Sequence, residues 1–124
     1  MEAYSASSIS VVIPVFNEEE NLTELMDRCL KTCEGINRDF EIILVDDGSS
    51  DDSRNMIKAG AARYPGRIIA LLLNRNYGQH SAIMAGFAQA KGDIVVTLDA
   101  DLQNPPEEIA RLVAKAEELS LIHI

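Results

Sequence analysis

The chain has 124 residues, 47% of them hydrophobic and 25% charged, the make-up of one ordinary folded domain and not of a disordered segment. Lys and Arg number 11 against 20 Asp and Glu, and the net charge of −9 repels phosphate backbones, which excludes a general nucleic-acid binder. No apolar run approaches the ~20 residues of a spanning helix, and residues 1–8 lack the basic and apolar regions of a secretory signal and read as an N-terminal extension.

The first strand is expected over Ile9–Val15, an apolar and β-branched run that ends in Pro14-Val15-Phe16-Asn17-Glu18. Asn17 is the expected N-cap of the following helix, and Glu18, Glu19 and Glu20 suit its N-terminus. Leu22, Leu25, Met26, Cys29, Leu30 and Cys33 fall on one helical stripe. The two cysteines have no His or Cys neighbours in sequence, so they read as core packing in a reducing compartment. Asn21-Leu22-Thr23 spells a glycosylation sequon, which carries no weight without a secretory signal.

The second strand, Phe40–Val45, runs into the acidic stretch Asp46–Asp52, and a helix is expected from Asp52 to Tyr64, closed by Pro65-Gly66. A third strand over Arg67–Leu73 leads into Asn74-Arg75-Asn76-Tyr77-Gly78-Gln79-His80. The helix expected over Gln79–Ala90 is rich in small residues (Ala82, Ala85, Gly86) that let it lie close against a sheet. The fourth strand, Ile94–Leu98, ends in Asp99-Ala100-Asp101-Leu102-Gln103. After Asn104-Pro105-Pro106 a last helix buries Ile109, Leu112, Val113 and Ala116. Residues 119–124 carry no cap, turn or finished strand. They either begin a fifth strand or form a foreign end, and a truncated domain over 9–118 with a separate tail is expected.

The strands start about 30 residues apart, the length of a strand plus a crossover helix. Nearly continuous apolar strands alternating with helices predict an α/β fold, a parallel sheet covered on both faces. Ligands of such sheets bind outside the carboxyl ends of the strands. All four of these ends are polar here, which predicts a site along that edge.

The residue types suggest its chemistry. Asp99 and Asp101 can share a hard cation, with Gln103 as a neutral oxygen ligand, or they can simply form a solvated acidic turn before a helix. Of the acids in Asp46–Asp52, at least one is expected to be a turn former or cap, and one at a strand end can accept from a ribose hydroxyl or a base N–H. Arg75 is the only cation of the third loop and either meets a phosphate or balances neighbouring acids. His80 sits near a helix start, where a structural hydrogen bond is a commoner role than general base. Neither G-x-G-x-x-G nor G-x-x-x-x-G-K-[ST] is present, so an acidic nucleotide site needs a divalent metal to hold a diphosphate.

The strings VIPVFNEE (12–19), VDDGSSD (45–51) and LDADLQNPPEE (98–108), in that order, resemble the family 2 glycosyltransferases of the nucleotide-diphospho-sugar (GT-A) fold. With LNRNYGQHSAIMAGF (73–87), the resemblance points to the branch that loads a sugar onto a polyprenyl phosphate. It implies a Rossmann-like sheet in which Pro14, Val15, Asn17 and Glu18 line a nucleotide pocket and Asp47, helped by Asp46, contacts uracil and ribose. It further implies that Asp99 and Asp101, flanking Ala100 in the donor pocket, hold Mg²⁺ or Mn²⁺ with Gln103, and that Arg75 and Gly78 lie near the phosphates.

The implied partners are a UDP-sugar donor and a polyprenyl phosphate acceptor. The implied place is the cytoplasmic face of a bacterial inner membrane, reached through parts absent from this chain. No catalytic residue is implied beyond Asp101 acting through the metal, because a phosphate acceptor is already anionic and needs no strong general base. Transfer of glucose or mannose to a bactoprenol or dolichol-type phosphate is the nearest alternative, and a nucleotide-binding piece without turnover is another. A receiver-type signalling module fits poorly, since its acidic pair follows the first strand.

Overall fold

The computed structural model describes residues 7–122. It contains β1 (Ile9–Val15), α1 (Leu22–Ile36), β2 (Phe40–Asp46), α2 (Ser53–Arg63), β3 (Ile68–Leu72), α3 (Gln79–Gln89), β4 (Ile94–Thr97) and α4 (Glu108–Ile122). Every expected strand and helix is present, with strand bounds moved by one residue at most at either end.

The four strands form one parallel sheet in the order β3-β2-β1-β4. β1 is buried along its whole length and lies between β2 and β4, with Val15 opposite Asp46 and Val12 opposite Thr97. Strand alternation divides the core in two. Ile9, Val11, Ile13, Ile42 and Leu44 meet α1, α2 and α4 through Leu25, Cys29, Ile57, Ile109 and Val113. Val12, Ile43 and Val45 face the other way and meet Ala82 of α3. Three helices cover one face, while α3 alone lies on the other, over β1 and β2, and leaves Val95 and Thr97 of β4 exposed.

Gly86 explains how α3 comes so near the sheet. A Cβ at this position would collide with Val12 Cγ1 and stand 3.2 Å from Val45 Cγ2. On the opposite face, Arg28 of α1 pairs with Glu107, just before α4, and Arg38, just after α1, pairs with Glu117 of α4.

Two expectations about segment ends change. Asn17 does not cap α1: it has φ 53°, and its Oδ1 accepts from the backbone N–H groups of Ser50 (2.8 Å) and Asp51 (3.3 Å). A turn over residues 17–21 intervenes, closed by the Asn21 and Leu22 N–H groups on Glu18 O, and α1 starts at Leu22 after Asn21. Residues 119–122 do not begin a strand, because α4 runs through them to Ile122. Residues 1–6 of the expected extension and 123–124 of the expected tail lie outside the described residues.

Candidate functional site

The order of the strands reverses direction between β1 and β4. β1, β2 and β3 are laid down successively, and α3 then carries the chain back across the sheet to place β4 on the far side of β1. An open α/β sheet leaves a crevice at such a point, at the carboxyl ends of its strands. A cleft of about 350 Å³ lies there.

Each wall comes from a different strand end. The end of β1 supplies Pro14, Val15, Phe16 and Glu18, and the end of β2 supplies Asp47. Asn76, Gly78 and Gln79 come from the segment joining β3 to α3, while Asp99, Ala100 and Asp101 follow β4. Four carboxylates, Glu18, Asp47, Asp99 and Asp101, thus share a cleft in which no Lys or Arg is found among the described lining residues.

Hydrogen bonds set the geometry of these walls. Asp47 is 2% exposed and accepts two consecutive backbone N–H groups, Tyr77 on Oδ1 (2.8 Å) and Gly78 on Oδ2 (3.0 Å). Its own N–H donates to Val15 O at 2.8 Å, which ties the ends of β1 and β2 together. Gln79 Nε2 donates to Asp99 Oδ1 (3.1 Å), and the Gln103 N–H donates to Asp101 Oδ1 (3.0 Å) around Leu102, whose φ is 62°.

Several residues expected at the site stand outside the cleft. Asp46 is fully buried and shares the pleat side of Ile42 and Leu44, so its carboxylate enters the α2 layer. There its Oδ2 accepts from Arg54 Nη1 (3.4 Å) and the Ser49 N–H (3.3 Å), while Oδ1 has no partner. Asn17 is spent on the 50–51 backbone. Arg75 is exposed and lies over the Tyr77 ring, 4.9 Å from its centroid. Gln103 contributes its backbone, not a side chain in the cleft, and His80 is exposed on the first turn of α3 without lining it.

Three lining residues carry no assignment from sequence: Phe16, Asn76 and Gln79. Phe16 gives a signal that was available, an aromatic placed where a buried strand meets polar sequence. It is 47% exposed, unusual for Phe. Asn76 and Gln79 have no local signal, since a loop from β3 must pass the end of β2 to bring them here.

The donor set bears on metal binding. Among the described residues no three His, Cys, Asp or Glu side chains converge as a protein-only cage. Asp99 and Asp101 nevertheless line one cleft, and two carboxylates completed by phosphate oxygens and water suit Mg²⁺ or Mn²⁺. The residues present fit an ion shared with a diphosphate. The cysteines do not compete for it: Cys29 and Cys33 are buried, and loss of hydration pushes each thiol up to about 12.

The sequence model described as "Glycosyl transferase family 2" matches residues 10–122. The undecaprenyl-phosphate 4-deoxy-4-formamido-L-arabinose transferase of Proteus mirabilis (strain HI4320) is 62% identical over 112 residues, 90% of this chain and 34% of that protein. The protein of the same name from Enterobacter sp. (strain 638) is 63% identical over 110 residues, 89% of this chain and again 34% of the relative. The chain therefore spans about a third of the length of the curated relatives it matches.

Among solved structures, S. aureus TarS 1–349 in complex with UDP-GlcNAc superposes with a TM-score of 0.69 at 25% identity, over 90% of this chain and 31% of that one. The M. tuberculosis glucosyl-3-phosphoglycerate synthase gives 0.68 at 29% identity, over 89% and 40%. The mannosyltransferase PcManGT of Pyrobaculum calidifontis, solved with GDP-Man and Mn²⁺, shares the fold with a TM-score of 0.69 at 24% identity, over 86% and 31%.

Proposed function

The chain belongs to glycosyl transferase family 2, and on that premise we propose that it forms the donor side of an enzyme that transfers 4-deoxy-4-formamido-L-arabinose from a UDP-sugar to undecaprenyl phosphate. The observation that carries the donor-site reading is the convergence of Asp47, Asp99 and Asp101 with Phe16 in one cleft at the carboxyl edge of the sheet. The sugar and the acceptor rest on the relatives, whose names specify both. Lipid A modification at the cytoplasmic face of the bacterial inner membrane is the setting that fits an undecaprenyl phosphate acceptor.

In this reading the exposed ring of Phe16 gives the uracil an apolar face to stack on, at the end of β1. Gly78 and Gln79 bring the N-terminal end of α3 to the cleft, and its partial positive charge favours the diphosphate. Asp99 and Asp101 hold Mg²⁺ or Mn²⁺, with Gln79 fixing the Asp99 carboxylate. When bound, the ion neutralises the charge that builds on the departing UDP. Arg75 lies outside the cleft, so that neutralisation falls to the ion and the helix end.

The acceptor phosphate is anionic at neutral pH and attacks the anomeric carbon without a carboxylate base. The work of the chain is then to hold the donor so that the anomeric carbon faces the acceptor. Calorimetric titration of the chain with UDP and Mn²⁺ tests the donor site, and saturable binding is expected. Absence of binding at millimolar UDP overturns the reading. Transfer of labelled sugar to undecaprenyl phosphate in detergent, by a protein of the relatives' full length, tests the reaction.

A further inference from the structure

We propose that Asn17 is a positioning residue for the donor, which clasps the turn after β1 to the turn after β2 and so fixes its neighbours Phe16 and Glu18 in the wall of the cleft. The role rests on the donor-site reading above. Phe16 and Glu18 both line the cleft, while Asn17 between them does not. The backbone at Asn17 is left-handed, with φ 53°, and its carboxamide turns away to residues 50–51.

The clasp runs through three successive residues. Asn17 Oδ1 accepts the N–H groups of Ser50 (2.8 Å) and Asp51 (3.3 Å), and the Asn17 N–H donates to Ser49 Oγ (2.9 Å). The Glu18 N–H donates to Oγ of Ser53, a buried residue at the start of α2 (2.9 Å). The Glu19 N–H donates to Asp51 Oδ2 (3.2 Å), while Glu19 Oε1 accepts the Asp52 N–H (2.9 Å). Glu18 is steadied from its own turn as well, since its Oε1 accepts from Asn21 Nδ2 at 2.9 Å.

Asn suits this post because it enters the left-handed region more readily than most residues and carries an acceptor that Gly lacks. β1 ends at Val15, so no strand ladder holds Phe16 or Glu18. Without the clasp, the ring and the carboxylate would have to be ordered as the donor binds, and such ordering weakens binding. The phosphate end of the cleft is built separately, from Asp99 and Asp101 after β4 and from the N-terminal end of α3. The clasp therefore bears on the nucleoside half of the donor and not on its diphosphate.

That division supplies the test, calorimetry in the presence of Mn²⁺ with UDP and with inorganic pyrophosphate, beside amide exchange at Ser50 and Asp51 by NMR. Asn17→Gly keeps the left-handed backbone and removes Oδ1. The lost bonds are exposed, so the fold should survive. Exchange at Ser50 and Asp51 should speed up, and UDP should weaken roughly five- to tenfold while pyrophosphate stays within about twofold. Asn17→Asp also tolerates the backbone and keeps an acceptor for both N–H groups, so it should restore their protection and return UDP to within about threefold.

UDP affinity should thus follow the protection of Ser50 and Asp51 across both variants. Affinity that falls while these amides stay protected would mean that Asn17 touches the donor itself, and overturns the proposal. So does affinity that holds while they are exposed, or an equal loss of UDP and pyrophosphate in Asn17→Gly. If the unsubstituted protein binds no UDP, the donor-site reading fails and with it the role assigned here, whereas exchange at Ser50 and Asp51 in Asn17→Gly separately reports whether Asn17 holds the two turns together.

Discussion

Gln79 Nε2 donates to Asp99 Oδ1 at 3.1 Å, joining the first residue of α3 to the second residue beyond β4. The two are 20 positions apart and come from separate walls of the cleft. Because the bond is exposed, its net worth to folding is small, whereas its effect on the direction of the Asp99 carboxylate is local and large. Gln79→Ala should leave the urea midpoint nearly unchanged. It should weaken UDP in the presence of Mn²⁺ by about two- to tenfold, the equivalent of ~0.5–1.5 kcal/mol. Unchanged affinity in calorimetry would show that Asp99 needs no such guide.

The metal prediction follows from the proposed role of Asp99 and Asp101 as a pair of carboxylate donors to the ion. Neither UDP nor Mn²⁺ completes the coordination alone, so each should raise the affinity for the other by the same factor. We expect Mn²⁺ to tighten UDP by at least about tenfold over EDTA, a coupling of ~1.4 kcal/mol, and Asp101→Ala to abolish the difference. Equal UDP affinity with and without the ion would contradict the assignment of Asp99 and Asp101.

Gly86 offers a test of the fold that leaves the cleft untouched. Alanine favours a helix over glycine by about 1 kcal/mol, so Gly86→Ala would stabilise a free helix. Here the added methyl meets Val12 Cγ1 on the buried face of β1, and overpacking costs about 1–3 kcal/mol. A lowered urea midpoint is expected. A raised one would mean that α3 can stand off the sheet.

The cysteines set the alkaline limit. Burial pushes both thiols up to about 12, whereas in the unfolded chain they ionise near 9. The folded state thus keeps protons that the unfolded state loses. This stabilisation is complete below the unfolded value and is lost as pH rises from about 9 toward 12. The slope is up to about 1.4 kcal/mol per pH unit for each thiol. Urea midpoints should fall over that window, and less so for the Cys29→Ala/Cys33→Ala double variant. Thiol reagents at pH 8 should label neither cysteine until the chain unfolds.

The sequence by itself determined the elements, the parallel sheet and the edge at which the cleft lies. These follow from local patterns: apolar runs of strand length, a period near 3.6 between them, and polar residues gathered at the strand ends. The family motifs lie in the same segments, so the donor-site reading was also legible there. Only the tertiary structure decided which side chains of those segments meet. Strand order set β4 against β1 and so brought Asp99 and Asp101 to Pro14, Phe16 and Glu18. Pleat alternation sent Asp46 into the α2 layer while the next residue, Asp47, reached the cleft edge. Asn17 left its expected helix for the 50–51 backbone, and Arg75 settled on Tyr77. The physical reason is that periodicity along a chain records which face of an element is buried. A hydrogen bond between Asp47 and Tyr77 instead depends on a partner 30 residues away, whose position exists only once the sheet is ordered.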